Sequence, residues 1–129
     1  MIIGLDHVQL AAPEGCEARA RAFYGELLGL VELPKPAPLS HRGGVWFALG
    51  AGQQLHVGVD PAFAAARKAH PALALASKAA LVELAAALER AGHTVSWDAD
   101  LPGAARFYLD DPFGNRLELL VREGAGALA

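Results

Sequence analysis

The chain has a single cysteine, Cys16, and that scarcity removes two kinds of architecture. One thiol can form neither an intramolecular disulfide framework nor a thiolate-rich zinc site, so Cys16 reads as a small residue at a helix start. Basic stretches are missing too. With a formal net charge of −3, nothing in the chain offers the clustered cations that neutralise phosphates, and nucleic acid is not an expected partner. No apolar run is long enough to cross a bilayer, and no basic leader precedes a hydrophobic segment, so a soluble, cytoplasmic protein without a membrane partner is expected. What is present, 53% hydrophobic against 19% charged residues over 129 positions, suffices to bury a core.

The order of predicted elements occurs twice. Sliding the sequence against itself by roughly half its length aligns His7 with His70 and Gly29 with Gly92. Closing one residue of gap then pairs Trp46 with Tyr108, Gly52 with Gly114 and His56 with Glu118. Each half reads as a βαβββ module, the modules covering about residues 1–60 and 70–123 of a single domain spanning 1–129. In the first, a strand runs from Ile2 to Ala11 and a helix from Glu14 to Leu28. Ala18, Ala22, Phe23 and Leu27 recur there at helical spacing, and Gly29 stops the helix. A short strand near Leu30 to Leu33 precedes a loop at Pro34, Pro36 and Pro38. Val45 to Leu49 and Gln53 to Asp60 form a hairpin turning at Gly50 and Gly52. The second module predicts strands at His70 to Ala76, Thr94 to Trp97, Ala104 to Asp110 and Asn115 to Arg122, with a helix from a Ser77 cap to Ala91. The alanine-rich join, Pro61 to Ala69, predicts a short helix.

Alternation along the strands places His56 opposite Leu55, Val57 and Val59, and Glu118 opposite Leu117, Leu119 and Val121. His7 shares a face with Gln9, and His70 alternates with Ala72, Ala74 and Ala76. All four therefore fall on the face not packed under the helices. A lone strand histidine is more often a hydrogen-bonded or solvated residue than a ligand, but four donors at matched repeat positions point to one metal site. His41, in the proline-rich region, and His93, after the second helix, fit no such position. Asp110 and Asp111 are placed to cap the turn at Gly114.

Three segments, Gly4-Leu5-Asp6-His7-Val8, Phe23-Tyr24-Gly25-Glu26-Leu27-Leu28-Gly29-Leu30 and Asp111-Pro112-Phe113-Gly114-Asn115-Arg116-Leu117-Glu118-Leu119, carry a resemblance over nearly the whole chain. The chain resembles the vicinal oxygen chelate superfamily, which includes glyoxalase I, extradiol dioxygenases, fosfomycin-resistance thiol transferases and metal-free bleomycin-binding proteins. The resemblance implies an α+β fold whose tandem βαβββ modules build a curved mixed sheet with a concave cup. It also implies metal ligands at His7, His56, His70 and Glu118, and a homodimer. Imidazole and carboxylate donors suit a divalent ion such as Zn, Ni, Mn or Fe(II).

The shared chemistry of these enzymes is bidentate binding of vicinal oxygens of a small-molecule substrate to the metal, stabilising an anion as it develops. A glyoxalase-like, lyase or isomerase centre uses all four ligands, with Glu118 moving a proton between adjacent carbons. His56 stands where many bacterial glyoxalase I enzymes have a second glutamate, which disfavours lactoylglutathione lyase activity itself. A dioxygenase-like centre uses only His7, His70 and Glu118. There Tyr108, in the spacing Tyr-x-x-Asp-Pro-x-Gly-x-x-x-Glu, hydrogen-bonds a substrate oxygen, although Ala99, Asp100 and Leu101 stand where that signature wants an upstream histidine. A third reading is a metal-free binding protein with aromatic walls such as Trp46, Phe47 and Trp97. Arg42, Arg106, Arg116 and Arg122 are scattered and form no evident cluster for a thiol cosubstrate's carboxylates.

Overall fold

The computed structural model describes residues 1–124, so the last five residues of the expected domain lie outside it. The chain divides into two compact units, Met1–Ala66 and Arg67–Ala129. Among the described residues no helix is long and apolar enough to cross a membrane.

The first unit contains strand β1 (His7–Ala12), helix α1 (Glu17–Ala20, continuing as a π-helix over Arg21–Leu27), β2 (Glu32–Leu33), β3 (Val45–Ala48) and β4 (Gln54–Val59). The second contains β5 (Ala72–Ala74), α2 (Lys78–Arg90), β6 (Ser96–Asp98), β7 (Ala104–Asp110) and β8 (Arg116–Arg122). Each unit forms a four-stranded mixed sheet, in the orders β1-β4-β3-β2 and β5-β8-β7-β6. In both, the first and last strands pair parallel and the others antiparallel. The α+β repeat read from the sequence is thus a repeat of topology. The registers agree with it residue by residue: Trp46 faces His56 as Tyr108 faces Glu118, and Gln9 faces His56 as Ala72 faces Glu118. His7 and His70 each lie two residues before those last positions.

Hydrophobic alternation decides which face each sheet buries. Leu10, Val45, Phe47, Leu55 and Val57 join Ala20, Phe23 and Tyr24 of the first helix in one core. Phe107, Leu109, Leu117 and Leu119 join Leu81, Ala85 and Leu88 of α2 in the other. Ser77 caps α2, its hydroxyl accepting from the Ala80 amide at 3.1 Å.

Several boundaries differ from the expected ones, each for a local reason. Met1 to Leu5 lie outside the sheet, Asp6 contributes only its carbonyl, which accepts from the Gln54 amide at 3.2 Å, and β1 begins at His7. The first helix buries Cys16, Ala20, Phe23 and Tyr24, whereas Ala18 and Ala22 are exposed. Its second part is wound wider, the Leu28 amide bonding the Phe23 carbonyl at 2.9 Å, so the buried stripe departs from a 3.6-residue period. His70 lies outside the strand predicted for it, because β5 pairs with β8 only over Ala72–Ala74. Pro61 to Ala69 forms turns and bends rather than a helix. There Arg67 reaches away to Asp110 and to the Gly114 carbonyl.

Two tight places hold the sheets in register. Gly44 has φ +98°, and a Cβ there would lie 2.0 Å from the Val57 carbonyl oxygen, so only glycine admits this approach. Before β8, Asp111 accepts from the amides of Phe113 at 2.9 Å and Asn115 at 2.8 Å, and from the Asn115 side chain at 3.0 Å. Asp111 and Asn115 are both buried, so the turn is locked by polar groups that satisfy one another. Asn115→Ala should cost about 2 kcal/mol by leaving an Asp111 oxygen short of a donor. Ser77→Ala should cost about 1 kcal/mol. Urea denaturation of metal-free protein measures both, and a smaller loss for Asn115→Ala than for Ser77→Ala would contradict the assignment.

Candidate metal centre

In the second unit the site is a row across the sheet. His70, just before β5, Glu118 on β8 and Tyr108 on β7 stand on the face away from α2, with Arg106 beside them. His70 Nε2 lies 3.1 Å from Glu118 Oε1, and Arg106 Nη1 donates to Glu118 Oε2 at 3.3 Å. Tyr108 stands directly opposite Glu118 in the β7–β8 pair, where its phenol helps to stabilise the carboxylate. Arg106 is held in turn by Asp98 on β6, whose Oδ1 accepts from Nε at 3.1 Å and from Nη2 at 3.0 Å. Burial alone would raise the Glu118 carboxyl, its side chain being 8% exposed. Hydrogen bonds from His70, Arg106 and Tyr108, with the Arg106 charge, outweigh that and hold it below the ordinary carboxylate range. Burial, then the Glu118 charge, pushes the Tyr108 phenol up, so it remains a hydrogen-bond donor.

In the first unit the equivalent row is aromatic. Trp46 and His56 stack at 3.9 Å between centroids, and His56 and His7 at 4.4 Å. His56 is buried and His7, at 46% side-chain exposure, forms the open end of the stack. His56 Nε2–H donates to Gln54 Oε1 at 2.8 Å, and His7 Nδ1–H to Asp6 Oδ1 at 2.8 Å.

Each of the three histidines thus commits one ring nitrogen to an oxygen acceptor, His70 through Nδ1–H to the Lys68 carbonyl at 2.9 Å. His7 and His56 are each left with one nitrogen for a lone pair, the tautomer control usual for imidazole ligands. At His70, Nε2 and the Glu118 oxygen 3.1 Å away share a proton, a place that a cation could take. That separation is about that of neighbouring ligands on one divalent ion. Imidazole and carboxylate are donors that suit a divalent metal. Among the described residues no group of three or more His, Cys, Asp or Glu side chains is placed so that it could hold one.

Other expected site residues fall elsewhere. Phe47 is in the core against Tyr24, and Trp97 packs edge-on against Phe107 on the helix-facing side. Of the three proposed aromatic walls only Trp46 shares a face with the histidines. Cys16 is buried and its thiol is pushed up to about 11, first by burial and then by Glu17, so it stays protonated. Asp111 caps the turn, whereas Asp110 pairs with Arg67. The residues the sequence reading undervalued are Arg106 and Asp98. The signal was available, since Arg106 alternates with Tyr108 and Asp98 faces Arg106 across the β6–β7 pair.

Burial, and then charge on His7, holds His56 below the ordinary imidazole range. The unfolded chain therefore takes up a proton where native His56 stays neutral. The stability tied to this ring is full above the unfolded value of about 6.5 and declines as pH falls below it. Between about pH 7.5 and about pH 5.5, metal-free wild type should lose more stability than His56→Phe, which keeps the stack without titrating. Equal losses in chemical denaturation would refute this.

No protein-family model matches the chain, and no curated protein matches it. Solved structures do. A glyoxalase family protein of Bacillus anthracis is 46% identical, covering 95% of this chain and 98% of that one, with a TM-score of 0.89. A glyoxalase/dioxygenase of Nostoc punctiforme is 19% identical over 94% of this chain and 92% of that one, at a TM-score of 0.77. A lactoylglutathione lyase of Agrobacterium tumefaciens is 23% identical over 97% and 98%, at 0.73. The last two share the fold. The first, through its identity over nearly the full length of both chains, shows that this protein belongs to the glyoxalase family, within the vicinal oxygen chelate superfamily.

Proposed function

We propose that the protein is a metal-dependent enzyme of this family, lyase or isomerase-like, acting on a small substrate that presents vicinal oxygens. The observation that carries the reading is the His70–Glu118 pair, with Nδ1 of the ring tied to a carbonyl and Nε2 set 3.1 Å from Oε1. His7 and His56 are the matching donors of the other module. A bound divalent ion would supply Lewis acidity, polarising substrate oxygens and stabilising the anion formed on proton removal.

The protein's own groups have distinct parts. Arg106 occupies Oε2 and leaves Oε1 as the oxygen for ligation. Ionised Glu118 can accept a substrate proton, but three donors make it a weak base, so the transfer requires at least one of them to let go. The Tyr108 hydroxyl, kept protonated, is placed to turn from Glu118 to a substrate oxygen. A homodimer belongs to the same proposal: Met1, Ile2, Ile3 and Leu5 are strongly exposed, an apolar surface that a second copy would cover.

One observation favours the dioxygenase-like alternative. His56 is buried with its ring stacked between Trp46 and His7, whereas the side chains of His7 and His70 are 46% and 20% exposed, so His56 is the least accessible of the three imidazoles. The test is elemental metal content after chelator-free purification and after reloading with Zn, Ni, Mn or Fe(II). About one equivalent per set of donors is expected, lost in both His70→Ala and Glu118→Ala while circular dichroism stays native. Metal retained by His56→Gln selects the three-ligand centre. Stoichiometric metal in both Ala variants rejects the site, and no specific uptake by wild type points to a metal-free binding protein.

A further inference from the structure

The face of the second sheet that carries Glu118 also carries a second guanidinium, Arg116. It lies two residues from Glu118 on β8, about 7 Å along the strand. Its Cζ sits 4.1 Å from the centroid of the Tyr108 ring, while Arg106 lies 5.3 Å from the same ring. Tyr108 is thus flanked by two cations with different commitments. Arg106 is spent on Asp98 and Glu118. Arg116 has Asp110 as its cross-strand neighbour, but Arg67 holds that carboxylate and the Gly114 carbonyl beside it. Among the described residues Arg116 has no ion pair.

A half-buried guanidinium stacked on an aromatic ring is partly desolvated on its face and keeps its hydrogen-bonding edge for a planar anion. Carboxylates match that fork, and a pre-stacked fork loses less freedom on binding one than a mobile lysine would. Resting on the metal-centre reading above, we infer that Arg116 is the anion-recognition residue of the site. The substrate then bears a carboxylate about one strand step from the oxygens presented to His70 and Glu118. The substrate class narrows to small acids with a vicinal-oxygen head and a carboxylate tail. Tyr108 joins the two ends, directly opposite Glu118 across the β7–β8 pair and covered by Arg116 at its ring.

Two measurements separate this inference from the metal reading. In metal-free protein, the arginine Nε–Hε NMR signal of Arg116, assigned by its loss in Arg116→Gln, should shift saturably with succinate and not with neutral succinamide. No saturable shift overturns the inference. In metal-loaded protein, calorimetry compares acetohydroxamate with N-hydroxysuccinamic acid, the same chelating head bearing a carboxylate. Wild type should prefer the second about tenfold, the size of one charge-assisted hydrogen-bonded contact. Arg116→Gln should abolish the preference without changing acetohydroxamate affinity, and Arg116→Lys should restore part of it. A preference surviving in Arg116→Gln overturns the inference. If neither hydroxamate binds while succinate still shifts Arg116, the metal reading fails and the carboxylate site stands.

Discussion

Neutralising one buried carboxylate organises the second unit. Glu118 stands on a central strand at 8% side-chain exposure, where an unpaired charge would be expensive. Three side chains answer it from three directions: His70 from the segment before β5, and Arg106 and Tyr108 from β7. Arg106 in turn draws Asp98 from the edge strand, which extends the network across the sheet. The backbone serves the same end. Asp111 and Asn115 lock the turn into β8, and the long β7–β8 ladder sets Tyr108 directly opposite Glu118.

The two halves solve one geometric problem with different chemistry. Both have the same strand order and the same cross-strand partners, so equivalent rows arise from equivalent backbones. In the first unit the buried position holds an imidazole, kept neutral by burial, and the row is filled by stacked rings. In the second it holds a carboxylate, and the row is filled by ion pairs. The places are equivalent and the interactions that fill them differ.

Much of this was legible in the sequence, for identifiable reasons. The β7 strand was read to the residue because its alternation is strict, and α2 because Ser77 and Gly92 punctuate it. That His7 would neighbour His56 and His70 would neighbour Glu118 was legible because these residues recur at matched offsets. The first helix was misread in its buried face because π winding has no signature in a 3.6-residue template. The strand at His70 was read too long because pairing length depends on a partner far away in sequence. Arg106 looked scattered because its meaning comes only from register, which brings Asp98 and Glu118 to either side of it.

The ion pairs around Glu118 also bear on how such a protein comes into being. A fold whose interior negative charge is balanced by its own arginine does not wait for an external cation before it can be completed. Synthesis and maturation are then separable events. Under the metal-centre proposal, the polypeptide would reach its native shape wherever it is made and take up an ion afterwards, and exchanging one ion for another would not pass through an unfolded chain.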